Sequence, residues 1–367
     1  MTRLEEMHVK RQRVHDFMDA NGLGAVVFES QANFAWYTAG GDSHVGIATE
    51  RGAALLVIQR ECEFIVTSNV EAPRIMTEEV AGLGFEFVEV PWHEQDAVMK
   101  AVKELLGQGT AASDTGFAGT KAMSAPLAEL RFSLTDSEIE RYRRVGKDTA
   151  ESLAAVCRKI RPGMTENAIA GMVAEGLYSR GLTPVVLLIA ADERIAKFRH
   201  PINTDKEVER CVMVVACARR WGLIISCTRI VHFGKLPGEL RRKHDAVVKV
   251  DAALNLSTRV GEKIGSVVQA GIQAYGDVGF PEEWKMHHQG GPTGYASREF
   301  RALPEETRPA QPNQAFAWNP SIAGTKSEDT ILATERGVEF LSLSPDWPMI
   351  EVEYNGQIVK RADILVL

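Results

Sequence analysis

No apolar run in this sequence approaches 18 residues, the length that a helix needs to cross a bilayer. The first residues are polar and have helical spacing, without the apolar segment of a secretory signal. We therefore expect a cytoplasmic protein that has no membrane partner.

The sequence also lacks an excess of positive charge. It has 42 Lys and Arg against 49 Asp and Glu, a net charge of -7. Nucleic-acid binding depends on a basic face that meets the phosphates. We expect no nucleic-acid partner, and a small-molecule substrate instead.

Cysteine is scarce, and the cysteines do not occur in closely spaced pairs along the sequence. There are five cysteines in 367 residues, an odd number with no C-x-x-C spacing, and most lie in apolar runs. This pattern is typical of buried free thiols in a reducing compartment and not of a disulfide framework.

The length favours two domains, because 367 residues exceed what one hydrophobic core usually organises. Helix-like and strand-like segments alternate up to about residue 130, which indicates an α/β domain. A capping box from Thr135 to Glu138 then opens a long helix. We predict domains at residues 1–132 and 133–367.

The second predicted domain contains a weak internal repeat with a spacing of 95 residues, which suggests two similar halves. Its first copy has an apolar and glycine pattern at Ile169, Met172, Val173, Gly176 and Leu177. The second copy lies at Ile264, Val267, Val268, Gly271 and Ile272.

Three segments carry a family resemblance: VVACARRWGLIISCTRIVHF (214–233), MHHQGGPTGYASRE (286–299) and FAWNPSIAGTKSEDT (316–330). They resemble the active-site strands of the creatinase/aminopeptidase P/methionine aminopeptidase (M24) family. SQANFAWYTAGGDSHVG (30–46) resembles that family's N-terminal domain. The resemblance implies α/β followed by α+β, a creatinase-like N-terminal domain before a pita-bread domain with pseudo-twofold symmetry.

The metal ligands of the family's peptidases are mostly missing. The resemblance places two aspartates, a histidine and two glutamates at Val215, Ser226, His288, Asn319 and Glu328. The sequence has no acidic residue at 211–235 or 307–327. Two adjacent divalent ions need several carboxylates. We therefore expect a divergent member with no dinuclear metal centre and no cofactor.

The catalytic candidates are His200, His288 and Glu328. His200 precedes Pro201 in a segment that resembles the loop carrying creatinase's acid/base histidine, and imidazole transfers protons near neutral pH. A structural role for either histidine stays open. Strand alternation sends Glu328 and Asp329 to opposite faces, and the resemblance assigns Glu328 to the pocket.

The residues predicted to line the substrate site are Arg229, Tyr295, Asn319, Ser226 and Trp36. A buried Arg229 would need an anion, and either Glu328 or Asp329 could supply it. By the resemblance we expect a homodimer in which residues 30–46, including Trp36, reach the partner's active site.

The function predicted from these residues is a metal-independent, creatinase-like hydrolase. It would cleave a C–N or related bond in a small polar molecule, with His200 as acid/base. One alternative is an Xaa-Pro aminopeptidase or dipeptidase that uses metal. Another is a pita-bread protein that binds without catalysis. Creatine itself is disfavoured, because creatinase has a glutamate where this chain has Thr228.

Overall fold

The computed structural model describes residues 1–367. The chain packs into two compact units, residues 1–138 with 221–223, and residues 139–220 with 224–367. The domain boundary predicted after residue 132 stays a proposal. None of the helices combines the length and the apolar composition that spanning a bilayer requires.

The first unit is a mixed sheet with helices packed on it. Its helices are α1 (Arg3–Asn21), α2 (Gln31–Tyr37), α3 (Ala72–Arg74), α4 (Ala97–Leu106) and α5 (Ser124–Glu129), with a π-helical turn at Ile75–Glu79 and a 3-10 turn at Phe117–Gly119. Its strands are β1 (Ala25–Ser30), β2 (Arg51–Gln59), β3 (Glu63–Ser68), β4 (Glu86–Val90), β5 (Ala111–Ser113) and β6 (Lys121–Ala122). They form one sheet in the order β4-β3-β2-β1-β5-β6.

The helical spacing of the first residues corresponds to α1. Thr2 and Glu5 form its capping box, and Gly22 ends it in the left-handed conformation at φ 63°. Strands β2 and β3 pair as an antiparallel hairpin.

The second unit begins with a long helix. Its helices are α6 (Asp136–Cys157), α7 (Glu166–Tyr178), α8 (Glu193–Lys197), α9 (Gly238–Ser257) and α10 (Ile264–Asp277), with a 3-10 turn at Glu283–Met286. Its strands are β7 (Thr183–Ala191), β8 (Cys211–Arg220), β9 (Leu223–His232), β10 (Gly290–Thr293), β11 (Gln314–Trp318), β12 (Ser321–Ile322), β13 (Thr325–Lys326), β14 (Asp329–Thr334), β15 (Gly337–Phe340), β16 (Met349–Tyr354), β17 (Gln357–Ala362) and β18 (Leu365–Val366).

Local signals in the sequence set the ends of several of these elements. The capping box at Thr135 forms, because the Thr135 N–H donates to Glu138 at 2.8 Å and the Glu138 N–H donates to Thr135 at 3.3 Å. Thr165 caps α7 by accepting from the Ala168 N–H. The β16–β17 hairpin turns at Asn355 and Gly356, whose φ angles of 50° and 75° fit a type I′ turn.

The internal repeat corresponds to two helix pairs. Its two copies lie in α7 and α10, which follow the long helices α6 and α9. A Cβ added to Gly176 would lie 3.5 Å from Val156 of α6, and one added to Gly271 would lie 2.5 Å from Leu254 of α9. The repeated glycines therefore mark the faces on which the paired helices approach each other.

Two four-stranded sheets carry the candidate site, in the orders β18-β9-β8-β7 and β10-β11-β14-β15. They meet where the Thr228 N–H donates to the Glu328 carbonyl at 3.1 Å and the Ser226 N–H donates to the Thr330 hydroxyl at 2.9 Å. This junction brings residues a hundred positions apart side by side. All five cysteines are free thiols, as the sequence predicts.

Two helical glycines give a matched test of this packing. A Cβ at Gly146 in α6 would lie 2.0 Å from the Leu341 carbonyl oxygen, whereas one at Gly171 in α7 meets nothing within 4 Å. Gly171→Ala should raise the free energy of unfolding by about 0.5–1 kcal/mol, because alanine loses less backbone entropy. Gly146→Ala should lower it by about 1–3 kcal/mol through overpacking. Urea titration measures both, and equal effects would contradict the packing of α6 described above.

Candidate active site

Three histidines form a cluster in the second unit. His200 lies on the loop after α8, and His287 and His288 lie between the 3-10 turn and β10. The ring centroids are 4.9 Å apart for His200 and His287, 4.7 Å for His287 and His288, and 5.6 Å for His200 and His288. The Nε2 atoms of His200 and His287 are 3.1 Å apart, so one donates a hydrogen bond to the other.

His287 is the anchored member of this cluster. Its Nδ1 lies 3.1 Å from the Ser321 hydroxyl, which also accepts a 3.0 Å hydrogen bond from Arg199. Arg199 is held in turn by an ion pair with Glu283. His287 is buried, whereas His200 is exposed and can meet a molecule from solvent.

Two glycines bring the histidine segment against β11. Gly290 has φ 100°, and a Cβ there would lie 2.1 Å from the Ala317 carbonyl oxygen. Gly291 has φ 145°, and a Cβ there would lie 2.7 Å from the Phe300 carbonyl oxygen. Both the backbone conformation and the close approach require glycine.

Glu328 is the one buried carboxylate beside the histidines, and two cations bind it. Lys326 Nζ lies 2.7 Å from Oε2 and Arg298 NH2 lies 3.0 Å from Oε1. The Thr228 hydroxyl donates to Oε2 at 2.7 Å. Burial would raise the pKa of Glu328, but the attraction of Lys326 and Arg298 outweighs it and lowers this pKa to about 2.

The three imidazoles are uncharged at neutral pH. Burial, followed by the charge of Lys326, lowers the pKa of His287 to about 2. Burial and the charge of Arg298 lower the pKa of His288 to about 4. Burial and Lys326 also lower the pKa of His200 below 6.5. The charges of Lys326 and Arg298 therefore act on these histidines as well as on Glu328.

Arg229 is predicted to line the substrate site, which stays a prediction, and to pair with Glu328 or Asp329 when buried. Its partner is Asp329, at 3.0 Å, and both side chains are fully buried. Asp329 also pairs with Arg361 at 2.8 Å, which pairs with Asp251 at 2.6 Å. Alternation along β14 puts this neutral network on the face opposite Glu328. Arg229 therefore belongs to the core.

The residues at the family's metal-ligand positions do not fit two metal ions. Val215 offers no donor atom, and the Ser226 hydroxyl already lies 3.1 Å from the Cys217 thiol and 3.3 Å from Arg298. The Asn319 amide oxygen is buried without a partner, yet it is uncharged. Because Glu328 is bound by two cations, no free carboxylate is left to bridge a pair of divalent ions.

The remaining two predicted residues are both buried. Tyr295 lies two residues after the end of β10, and its role at the site stays a prediction. Trp36 is fully buried in the first unit, where its ring packs against Phe28 and Tyr37. Its role at a partner's active site stays a prediction.

Three residues of the site are not among the predicted ones: His287, Lys326 and Arg298. Lys326 stands two positions before Glu328, and alternation alone would have put both side chains on one face. His287 adjoins the predicted His288, but no spacing rule brings it to His200, 87 positions away.

The comparisons with known proteins agree with this architecture. The family model for metallopeptidase family M24 matches residues 140–335, more than half of the chain. The Xaa-Pro dipeptidase of Bacillus anthracis is 16% identical with a TM-score of 0.78, covering 98% of this chain and 100% of that one.

Two further solved structures are similar. The dipeptidase PepE of Mycobacterium ulcerans is 18% identical with a TM-score of 0.78, covering 99% of this chain and 98% of that one. The prolidase of Pyrococcus horikoshii OT3 is 19% identical with a TM-score of 0.77, covering 91% and 98%. At these identities the likeness establishes the fold. No curated protein matches this sequence.

The lowered pKa of His287 predicts a pH-dependent stability. In the unfolded chain His287 takes up a proton below pH 6.5, whereas in the folded chain its pKa is about 2. The unfolded state therefore binds more protons as pH falls, and the free energy of unfolding decreases from pH 6.5 downward.

Each histidine with a lowered pKa changes the free energy of unfolding by up to about 1.4 kcal/mol per pH unit. His287→Asn should flatten the dependence between pH 6 and 4 by about that amount. Urea unfolding of chelator-treated protein across this range measures the two slopes. Parallel slopes would show that folded His287 is not shielded from protonation.

Proposed function

Because the chain belongs to metallopeptidase family M24 but lacks a carboxylate set for its two metal ions, we propose a metal-independent hydrolase. The substrate is a small polar molecule in which a C–N or related bond is cleaved. His200 acts as acid/base, and His288 and Glu328 complete the catalytic group. No cofactor takes part.

The observation that carries this proposal is the binding of Glu328 by Lys326 and Arg298. The Lys326 ammonium group and the Arg298 guanidinium group lie against the carboxylate that metal ions would share in the family's peptidases. Fixed cations can stabilise an oxygen that becomes negative in the transition state, as a metal ion would. Positive charge at the site is thus supplied by the chain itself.

His200 is suited to move the proton. It is exposed, uncharged at neutral pH, and its Nε2 is 3.1 Å from His287 Nε2. A water oxygen forms a bond to the substrate carbon while its proton passes to the imidazole. The imidazolium then gives this proton to the nitrogen as the C–N bond breaks, which restores the neutral ring.

The surrounding charges favour a neutral or anionic substrate. Lys326 and Arg298 outnumber Glu328, and Thr228 donates to Glu328 where creatinase has its guanidinium-binding glutamate. A cationic group on the substrate would be repelled by Lys326 and Arg298. Asn319, whose amide oxygen has no partner, and the hydroxyls of Ser226 and Tyr295 remain the candidates for polar contacts.

A metal-dependent Xaa-Pro dipeptidase is the second candidate. It is favoured by the names of the similar structures, which include an Xaa-Pro dipeptidase and a prolidase. Such an enzyme would need other residues as metal ligands, because three of the family's ligand positions carry Val215, Ser226 and Asn319. A cleft that binds without catalysis is the third candidate, and the assay below separates all three.

We also propose that the protein is a cytoplasmic homodimer. Within residues 30–46, Val45 is 67% exposed, and Ile47, directly after this segment, is 48% exposed, which suits a surface that is covered by a second copy. Light scattering tests this, and a fully active monomer would contradict it.

The first test of function uses chelator-treated protein and a panel of small amides, ureido compounds and Xaa-Pro dipeptides, each with and without manganese. We expect turnover that the chelator leaves unchanged. His200→Ala should reduce kcat at least about a hundredfold, because general acid–base catalysis contributes that much. The variant should stay folded, since His200 is exposed.

His93→Ala, which removes another exposed histidine, is the matched control and should keep full activity. Xaa-Pro hydrolysis that appears only with manganese would replace this proposal by the dipeptidase. Binding without turnover of any compound would favour the non-catalytic cleft.

A further inference from the structure

The three histidines offer a donor arrangement that the carboxylate positions do not. One ring nitrogen from each of His200, His287 and His288 lies within 4.8 Å of the others. Tetrahedral zinc with bonds of about 2.0–2.1 Å places its ligand nitrogens about 3.4 Å apart. The Nε2 atoms of His200 and His287 are 3.1 Å apart, so one pair already has this spacing.

The protein fixes the ring of His287 and leaves that of His200 adjustable. His287 Nδ1 is bonded to Ser321, which leaves Nε2 for a metal ion in the way that outer partners orient metal-binding histidines. His288 Nδ1 is buried without a hydrogen-bond partner. His200 is exposed on a loop, so its ring can adjust to the spacing that a tetrahedral ion requires.

We infer that His200, His287 and His288 form a binding site for a single zinc ion, with water as the fourth ligand. This site differs from the family's centre, whose ligand positions include His288 but neither of the other two. Three imidazole nitrogens favour zinc over magnesium, calcium or manganese, which prefer oxygen ligands.

The neighbouring charges set the strength of this site. Lys326, Arg298 and Arg301 all act on the histidines electrostatically, and Glu328 is the nearby anion. A divalent ion therefore enters a region with more positive than negative charge. We expect binding that is reversible and is removed by a chelator.

Zinc at this site would inhibit the enzyme. It takes the ring nitrogens that carry the proton in hydrolysis, so loaded protein should lose turnover and regain it with a chelator. This consequence rests on the proposed function, whereas zinc binding itself does not.

The test is titration of chelator-treated full-length protein with zinc chloride, followed by calorimetry, and with cobalt(II), followed by visible absorption. We expect one ion per chain and the intense absorption of tetrahedral cobalt. His287→Ala and His200→Ala should each weaken zinc binding at least about tenfold, the smallest loss known for orienting residues of such sites. His93→Ala is the control and should bind as the wild type does.

Glu328→Gln separates this site from the family's centre. Ions in the family's centre would be lost in Glu328→Gln and kept in His287→Ala, and that result overturns the inference. So does a wild-type protein that binds no zinc. One zinc ion that binds without reducing turnover would instead remove His200 from the proposed chemistry, while the site itself stands.

Discussion

The pairing of buried carboxylates on the segment Glu328–Asp329 is the constraint on which the rest of the site depends. Each carboxylate is removed from water, and a buried charge without a partner is very costly. Glu328 is bound by Lys326 and Arg298 on one face, and Asp329 by Arg229 and Arg361 on the other. Alternation along the strand therefore divides one acidic pair between a reactive pocket and a structural network.

The cations on Glu328 also contribute, after burial, to the lowered pKa values of the histidines. Their charge, added to burial, keeps the three imidazoles unprotonated at neutral pH. Unprotonated rings hold lone pairs that accept protons or bind a metal ion. A change that replaces metal-binding acids with Val215, Ser226 and Asn319 thus leaves a pocket with its own positive charge and its own bases. The family fold is kept, and we propose that its chemistry differs from that of the dinuclear peptidases.

Much of the fold could be predicted, because its signals are local. Helix caps at Thr135 and Thr165 and the turn at Asn355 and Gly356 all act within a few residues. The site could be predicted only in part. His200, His288 and Glu328 were predicted by resemblance, and the charges of Lys326 and Arg298 act on all three in the structure, while their catalytic roles stay predictions. Arg229 and Trp36 are both buried, and the sequence alone does not show which neighbours a buried side chain meets.

The sequence by itself determined the element order, the family fold and the missing acidic ligands, because composition and local spacing are read directly from the chain. Only the tertiary structure decided which partners meet. It paired Arg229 with Asp329 and not with Glu328, and it brought Lys326 and Arg298 onto the remaining carboxylate. It also brought His287 to His200 across 87 positions. The physical reason is that Coulomb and hydrogen-bond energies depend on distances of a few ångströms, and packing of the sheets sets those distances.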